Sequence, residues 1–275
     1  MKNQNTFELL AKIATRAAAS ITIGTLVFLV GFILVKGIPY IKPSLFSFTY
    51  NSENVSLMPA LISTIVMTLF SLLIAVPFGV SSAIYLTEYA GRGSKVVALI
   101  RVTTETLSGI PSIVYGLFGM LFFGTYLGWG FSLLAGAFTL AIMILPLIMR
   151  SSEEALKSVP DTYREGSFGL GAGKLRTVFK IVLPSAMPGI LAGIILAVGR
   201  IVGETAALIY TAGTVAQVPT NPMMSARTLS VHMYALSSEG LHTNEGYATA
   251  VVLLVVVVLI NMVSAKIAKK IGGAE

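Results

Sequence analysis

The chain contains no cysteine, which excludes a disulfide framework and any thiolate metal site. Its only histidines, His232 and His242, are isolated and read as surface residues rather than ligands. Charge is scarce too: Asp, Glu, Lys and Arg make up 11% of the sequence, against roughly 25% in a soluble domain. There is no G-x-S-x-G elbow and no run of metal-ligating side chains, so the sequence offers little to an enzyme. What is abundant is apolar. Hydrophobic residues make up 55% of the 275, and the mean hydropathy is +0.85.

Uncharged runs at Ala17–Val35, Asn54–Thr87, Thr106–Met149, Ile181–Gly199 and Gly246–Ala265 each match or exceed the ~18 residues of a membrane span. Backbone amides in lipid must bond within their own segment, and no alternating barrel pattern is present, so these runs are helices. The third holds 44 residues, enough for two spans joined by a turn at Gly124–Gly130. Six transmembrane helices are expected. The first run, 19 residues with no small-residue cleavage site before Lys36, reads as an uncleaved helix rather than a signal peptide. Phe7–Ile13 before it reads as a short amphipathic helix along the membrane surface.

Lys and Arg placement sets the orientation. With the N-terminus inside, fifteen of the nineteen basic residues, Arg92, Lys269 and Lys270 among them, fall on the cytoplasmic side. Lys36, Lys42 and Arg227 fall outside, and Arg200 lies within a span. Both termini are therefore expected in the cytoplasm, and the net charge of +7 is a topology signal rather than a nucleic-acid footprint.

The glycine-rich segment Gly166–Thr177 looks at first like a phosphate loop. In the pattern G-x-x-x-x-G-K-[ST] the first glycine would be Phe168 and the magnesium-binding hydroxyl would be Leu175, so the pattern fails. The longer stretch YREGSFGLGAGKLRTVFKIVLP reads as two short helices between spans. Tyr163–Phe168, started by Pro160-Asp161, turns at Gly169 and Gly171 into Lys174–Val182, after which Pro184 opens the next span. Nearby, Ser151-x-x-Glu154 reads as a capping box at a helix start.

The spacing Glu165-Gly166-Ser167, three residues, Gly171, nine residues, Ile181-x-Leu183-Pro184 resembles the E-A-A loop of bacterial ABC-importer permeases, with Gly-Ser in place of Ala-Ala. The resemblance implies that Tyr163, Arg164, Glu165, Gly166, Ser167, Gly171 and Pro184 form a coupling helix that seats in an ATPase subunit, within a coupling loop at 150–183.

Charges inside spans are costly and mark a pathway. Arg200 and Glu204 are four residues apart, on one face of a continuous helix, with Arg200 about 24 Å beyond Pro184 at 1.5 Å per residue. The planar fork of arginine suits an oxyanion such as phosphate or sulfate. Arg101 and Glu105 repeat the spacing at the inner end of the third span, where Arg101 can equally be a positive-inside anchor. Gly109-Ile-Pro111 breaks that span, with the hydroxyls of Ser112 and Tyr115 beside it. Pro77 and Pro146 are expected to break two others.

LSGIPSIVYGLFG, GRIVGETAAL and ARTLSVHMYAL together resemble the phosphate-importer permeases, the last segment favouring the PstA type over its PstC-type companion. The resemblance covers Leu57–Ala265 and implies an all-α, MetI-like type I ABC-importer permease fold. It makes residues 57–265 the transmembrane domain, preceded by 1–56 and followed by a basic tail at 266–275. It also implies a substrate pathway through Arg200, Glu204, Thr205, Arg101, Glu105, Ser112 and Tyr115. The implied partners are a PstC-type permease, two copies of an ATPase carrying ATP and Mg, and an extracytoplasmic phosphate-binding protein that rests on a short outer helix at ARTLSVHMYAL. No cofactor or nucleic acid is expected on this chain. Another oxyanion, sulfate or molybdate, and a PstC-type identity stay open. A passive anion channel would account for Arg200 and Glu204 but not for the loop.

Overall fold

A computed structural model describes residues 2–91 and 93–271, so Arg92 and the end of the basic tail lie outside the described residues, as do the side chains of Lys269 and Lys270. Among the described residues there is no strand. Five helices are long and apolar enough to span a membrane. They lie in α1 (Lys2–Gly37), α2 (Met58–Ile84), α5 (Leu133–Lys157), α8 (Leu183–Val202) and α11 (Thr243–Ile271). A bent pair completes the expected six if it is counted as one span: α3 (Lys95–Ser108) and α4 (Ser112–Gly119), the latter running on through a wide turn to Tyr126, meet at 100°. The predicted turn after it is present, with Gly128 and Gly130 in the left-handed region.

The core forms where α2, α5 and α8 pack together around Met67, Leu140, Ile144, Ile148 and Ile201. A second cluster, Ile84, Leu86, Leu156, Val178, Val182 and Ile190, joins the start of α8 to the turn after α2. At the opposite end Leu45, Leu57, Leu229, Leu236 and Ala248 close a third. Lipid tails are as apolar as leucine, so close approach rather than water exclusion holds such helices together. A Cβ on Gly116 of α4 would lie 2.8 Å from the Ala207 Cα, so only glycine permits this crossing. α1 stands outside the core against α11, with Phe32 edge-on to Tyr247 at 5.9 Å between ring centroids.

Several expectations change. Phe7–Ile13 is no separate surface helix but continues into α1. Pro77 and Pro146 sit inside uninterrupted α2 and α5, each removing one backbone donor without ending its helix. Ser151 and Glu154 lie within α5, so they are no capping box. The Ser151 hydroxyl donates to the Ile148 carbonyl, and the actual N-cap of α5 is Ser132, which accepts from the Ala135 amide. The amides of Ser132, Leu133 and Leu134 donate to carbonyls of Thr211, Met224 and Pro222, so the 211–224 loop completes the cap. Lys174–Val182 is continuous with the following span, forming one helix to Val202. The Leu183 amide reaches back to the Val178 carbonyl, a wide turn that absorbs the donor missing at Pro184.

The outer helix forms as α10 (Leu229–Glu239), with one face packed inward through Leu229, Val231, His232 and Leu236, all fully buried, and Tyr234, Ser237 and Ser238 exposed on the other. The surface reading of His232 fails because the imidazole packs edge-on to Tyr50 and lies 3.3 Å from an Arg227 guanidinium nitrogen. Burial, then the Arg227 charge, lowers its pKa to about 4. An unfolded histidine protonates near 6.5, so between these values the unfolded chain binds the proton that the folded chain refuses. Stability should therefore fall as pH drops from 6.5 towards 4, by up to about 3 kcal/mol. Thermal unfolding in detergent from pH 7.5 to 4.5 should show a loss for wild type that His232→Gln does not share; parallel curves would refute the assignment.

Candidate functional site

The first group of residues surrounds α6 (Asp161–Gly169), which joins α5 to the helix beginning at α7 (Lys174–Thr177). Pro160 and Asp161 start α6 as expected. It ends where Gly171 takes φ +80°, with the Ala172 amide bonded to the Ser167 carbonyl and the Gly171 amide to that of Phe168. These paired bonds close a left-handed terminus that a side chain would strain. Ser167 and Thr177 are buried with their hydroxyls 2.8 Å apart, so the serine in place of alanine ties α6 to α7.

Arg164 is turned inward. Its guanidinium lies 2.6 Å from Glu88 and donates to the carbonyls of Val159 and Leu156 at 2.8 and 3.0 Å, with Asp161 at 3.2 Å. Its pKa is raised above the usual arginine value, chiefly by the hydrogen bond to Glu88. Tyr163, Glu165, Gly166 and Pro184, by contrast, are exposed. So are Phe168, Leu170 and Leu175, Leu170 at 91%. The result is an apolar, acid-bearing knob anchored by a buried ion pair. Glu88 was not singled out from the sequence. Its only signal is that it is the first charge after the long uncharged run ending at Thr87.

Arg101 belongs to the same end. Its partner is not Glu105 but Glu153 of α5, at 2.6 Å, which Lys157 also reaches at 2.6 Å. α3 lies against α5 here, so a buried carboxylate across the contact takes the cation while Glu105 remains exposed. Arg101 and Glu105 line a cavity of about 240 Å³ with Glu153 and Lys157, and Arg101 also borders a larger one, of about 960 Å³, beside Arg164.

The second group lies where two interrupted helices meet. α3 ends at Ser108, and Pro111 precedes α4, which Ser112 opens; the Tyr115 hydroxyl donates to the Leu107 carbonyl across the break at 2.7 Å. α8 stops at Val202, and α9 (Ala206–Thr211) follows. Arg200 and Glu204 therefore do not share a helical face or pair. The chain breaks at Gly203, and Glu204 turns inward, its carboxylate accepting from the Ala207 amide at 3.1 Å to cap α9. The Ser230 hydroxyl donates to the Glu204 carbonyl at 2.5 Å. Thr205 leads into α9, partly buried. The Gly116–Ala207 crossing places α4 against α9. Arg200 itself is exposed, with no side-chain ion pair among the described residues. No group of side chains suited to a metal ion occurs among them either.

Residues 75–271, from within α2 through α11, match the family model of the binding-protein-dependent transport system inner membrane component. The chain belongs to this family. It is 35% identical over 243 residues, 81% of each chain, to the probable ABC transporter permease protein YqgI of Bacillus subtilis (strain 168). It is 36% identical over 212 residues, 76% of this chain and 69% of the relative, to the phosphate transport system permease protein PstA 1 of Mycobacterium tuberculosis (strain CDC 1551 / Oshkosh). The fold matches a crystal structure of a bacterial alginate ABC transporter with a TM-score of 0.69, over 95% of this chain and 96% of that one, at 15% identity. The all-α, MetI-like architecture is thus that of importer permeases. The permease is a multi-pass inner-membrane transport component, and ATP hydrolysis belongs to separate subunits.

Proposed function

We propose that the permease passes inorganic phosphate into the cell as the PstA-type half of a heterodimer with a PstC-type permease. Two copies of an ATPase, carrying ATP and Mg, drive it, and an extracytoplasmic phosphate-binding protein delivers the substrate. The relationship to phosphate transport system permeases supports the substrate class. The observation that carries the reading is Arg200, which makes no side-chain ion pair among the described residues, while Glu204, four residues on, caps α9. A free fork meets a tetrahedral oxyanion with two parallel donors, and a single cation holds the anion without trapping it. The Lys and Arg bias puts the α6 end and both termini in the cytoplasm. There the knob of Tyr163, Glu165, Phe168 and Leu170 offers apolar contacts and one acid to an ATPase cleft. Arg164 and Ser167 fix that knob to the bundle, so movement of the ATPase passes to α5 and α8. A passive channel would have no use for this anchored loop.

Radiolabelled phosphate uptake in cells, with sulfate uptake as control, tests the reading. Arg200→Gln should abolish uptake with the ATPase still membrane-bound, whereas Glu165→Lys should abolish uptake and release the ATPase. Normal uptake in Arg200→Gln would remove Arg200 from the pathway. Sulfate uptake without phosphate uptake by wild type would leave an importer with a different substrate.

A further inference from the structure

Asn261 is a polar, partly buried side chain within the apolar span of α11. It follows Val251–Ile260, ten consecutive apolar residues of α11. An amide carried into hydrocarbon without a partner costs a few kcal/mol, so its position calls for one. Among the described residues no hydrogen bond or ion pair reaches the side chain of either Asn261 or Arg200. The two line the same groove, of about 600 Å³, between α5, α8 and α11, whose remaining wall includes Leu147, Ile195, Leu196 and Gly199. The groove is open over Gly199, where an added Cβ would meet nothing within 4 Å.

We infer that Asn261 and Arg200 together form an oxyanion-binding groove, Asn261 supplying neutral donors beside the guanidinium fork. This rests on the reading that Arg200 meets the transported anion, and extends it to a second residue on a different helix. The chemistry favours the pairing. An Asn amide offers two N–H donors and no net charge, so it adds directionality without deepening the electrostatic well that would retain the anion. The anion, in turn, satisfies both groups at once, which no side chain among the described residues does. A phosphate of a lipid headgroup presents the same oxygens, so a test must separate free phosphate from lipid.

The assembled transporter with its binding protein, in phosphatidylcholine vesicles with or without anionic lipid, gives the measurement: initial phosphate uptake. Asn261→Leu should lower uptake roughly tenfold, as expected for the loss of one hydrogen bond to a charged group. Asn261→Asp should lower it about a hundredfold, because the new carboxylate neutralises Arg200 and repels the anion. The exchange Arg200→Asn with Asn261→Arg, which keeps both groups in the groove, should transport better than Arg200→Asn alone. Wild-type uptake in both Asn261 variants would overturn the inference, as would an aspartate no worse than leucine, the mark of a structural role. Uptake that needs anionic lipid, with Asn261→Leu losing bound lipid rather than phosphate transport, would assign the groove to a headgroup and also overturn it. Sulfate flux in place of phosphate, still scaled by the Asn261 variants, would defeat the phosphate reading and leave the groove standing.

Discussion

Replacing Arg164 with alanine is expected to abolish uptake and release the ATPase while the membrane bundle stays folded. The guanidinium donates to Glu88 and to two backbone carbonyls at once, with 15% of its side chain exposed and 7% of that of Glu88. Removing one member of such a pair leaves a buried carboxylate without its cation, a loss of order 3–5 kcal/mol. The carbonyls of Leu156 and Val159 lose their donors as well. That cost falls locally. α6 is a nine-residue element otherwise tied by the Ser167–Thr177 hydroxyl contact, the turn at Gly171 and packing against 178–182, so the loop should detach before the spans do. Hydrogen exchange should show fast amide exchange confined to 156–172 in Arg164→Ala. Arg164→Lys should fall between, keeping the charge but losing the fork. Glu88→Gln should be milder than Arg164→Ala, since a neutral amide still accepts from the arginine. Unchanged uptake and protection in Arg164→Ala would show that α6 is held by other contacts.

The long apolar helices, the helix–turn–helix around Gly171 and the break at Gly109–Pro111 were legible because each rests on local chemistry: uncharged length, a glycine that must turn, a proline that cannot donate. Pairing was not legible. The sequence offers Arg101 with Glu105 and Arg200 with Glu204, both at helical spacing, and the structure forms neither. Arg101 meets Glu153 because α3 crosses α5, and Glu204 is lost to Arg200 because the helix ends at Gly203 and a carboxylate near the start of a helix caps it. A four-residue spacing describes a pair only while the helix continues. Arg164 misleads differently: its motif position points towards a partner, but its side chain is held by an acid 76 residues away. Prolines erred in the other direction, since Pro77 and Pro146 lie in helices that neighbouring spans keep intact. His232 is buried by the fold of the 40–57 and 211–228 segments, which periodicity does not describe.

The crossing of the two interrupted helices leads to the other large expected effect. Gly116→Leu should eliminate transport with ATPase binding retained. A Cβ at this position would stand 2.8 Å from the Ala207 Cα and 3.1 Å from its carbonyl oxygen, and neither backbone atom can rotate aside. α4 and α9 must move apart, an overpacking cost that typically reaches 1–3 kcal/mol and rises when backbone has to yield. The displacement acts on the proposed pathway directly. Tyr115, which bridges the break to Leu107, adjoins Gly116, and the Ala207 amide is the donor that holds the Glu204 carboxylate. Separating the helices therefore frees Glu204 to approach Arg200, and a cation neutralised in this way would no longer serve an anion. Gly24→Ala supplies the control: its Cβ meets nothing within 4 Å in α1, and alanine favours a helix over glycine by about 1 kcal/mol. If Gly116→Leu transports as well as Gly24→Ala, the crossing is not part of the pathway. If it loses transport and Glu204→Gln in the same chain restores part of it, the cause is the released carboxylate rather than a misfolded bundle.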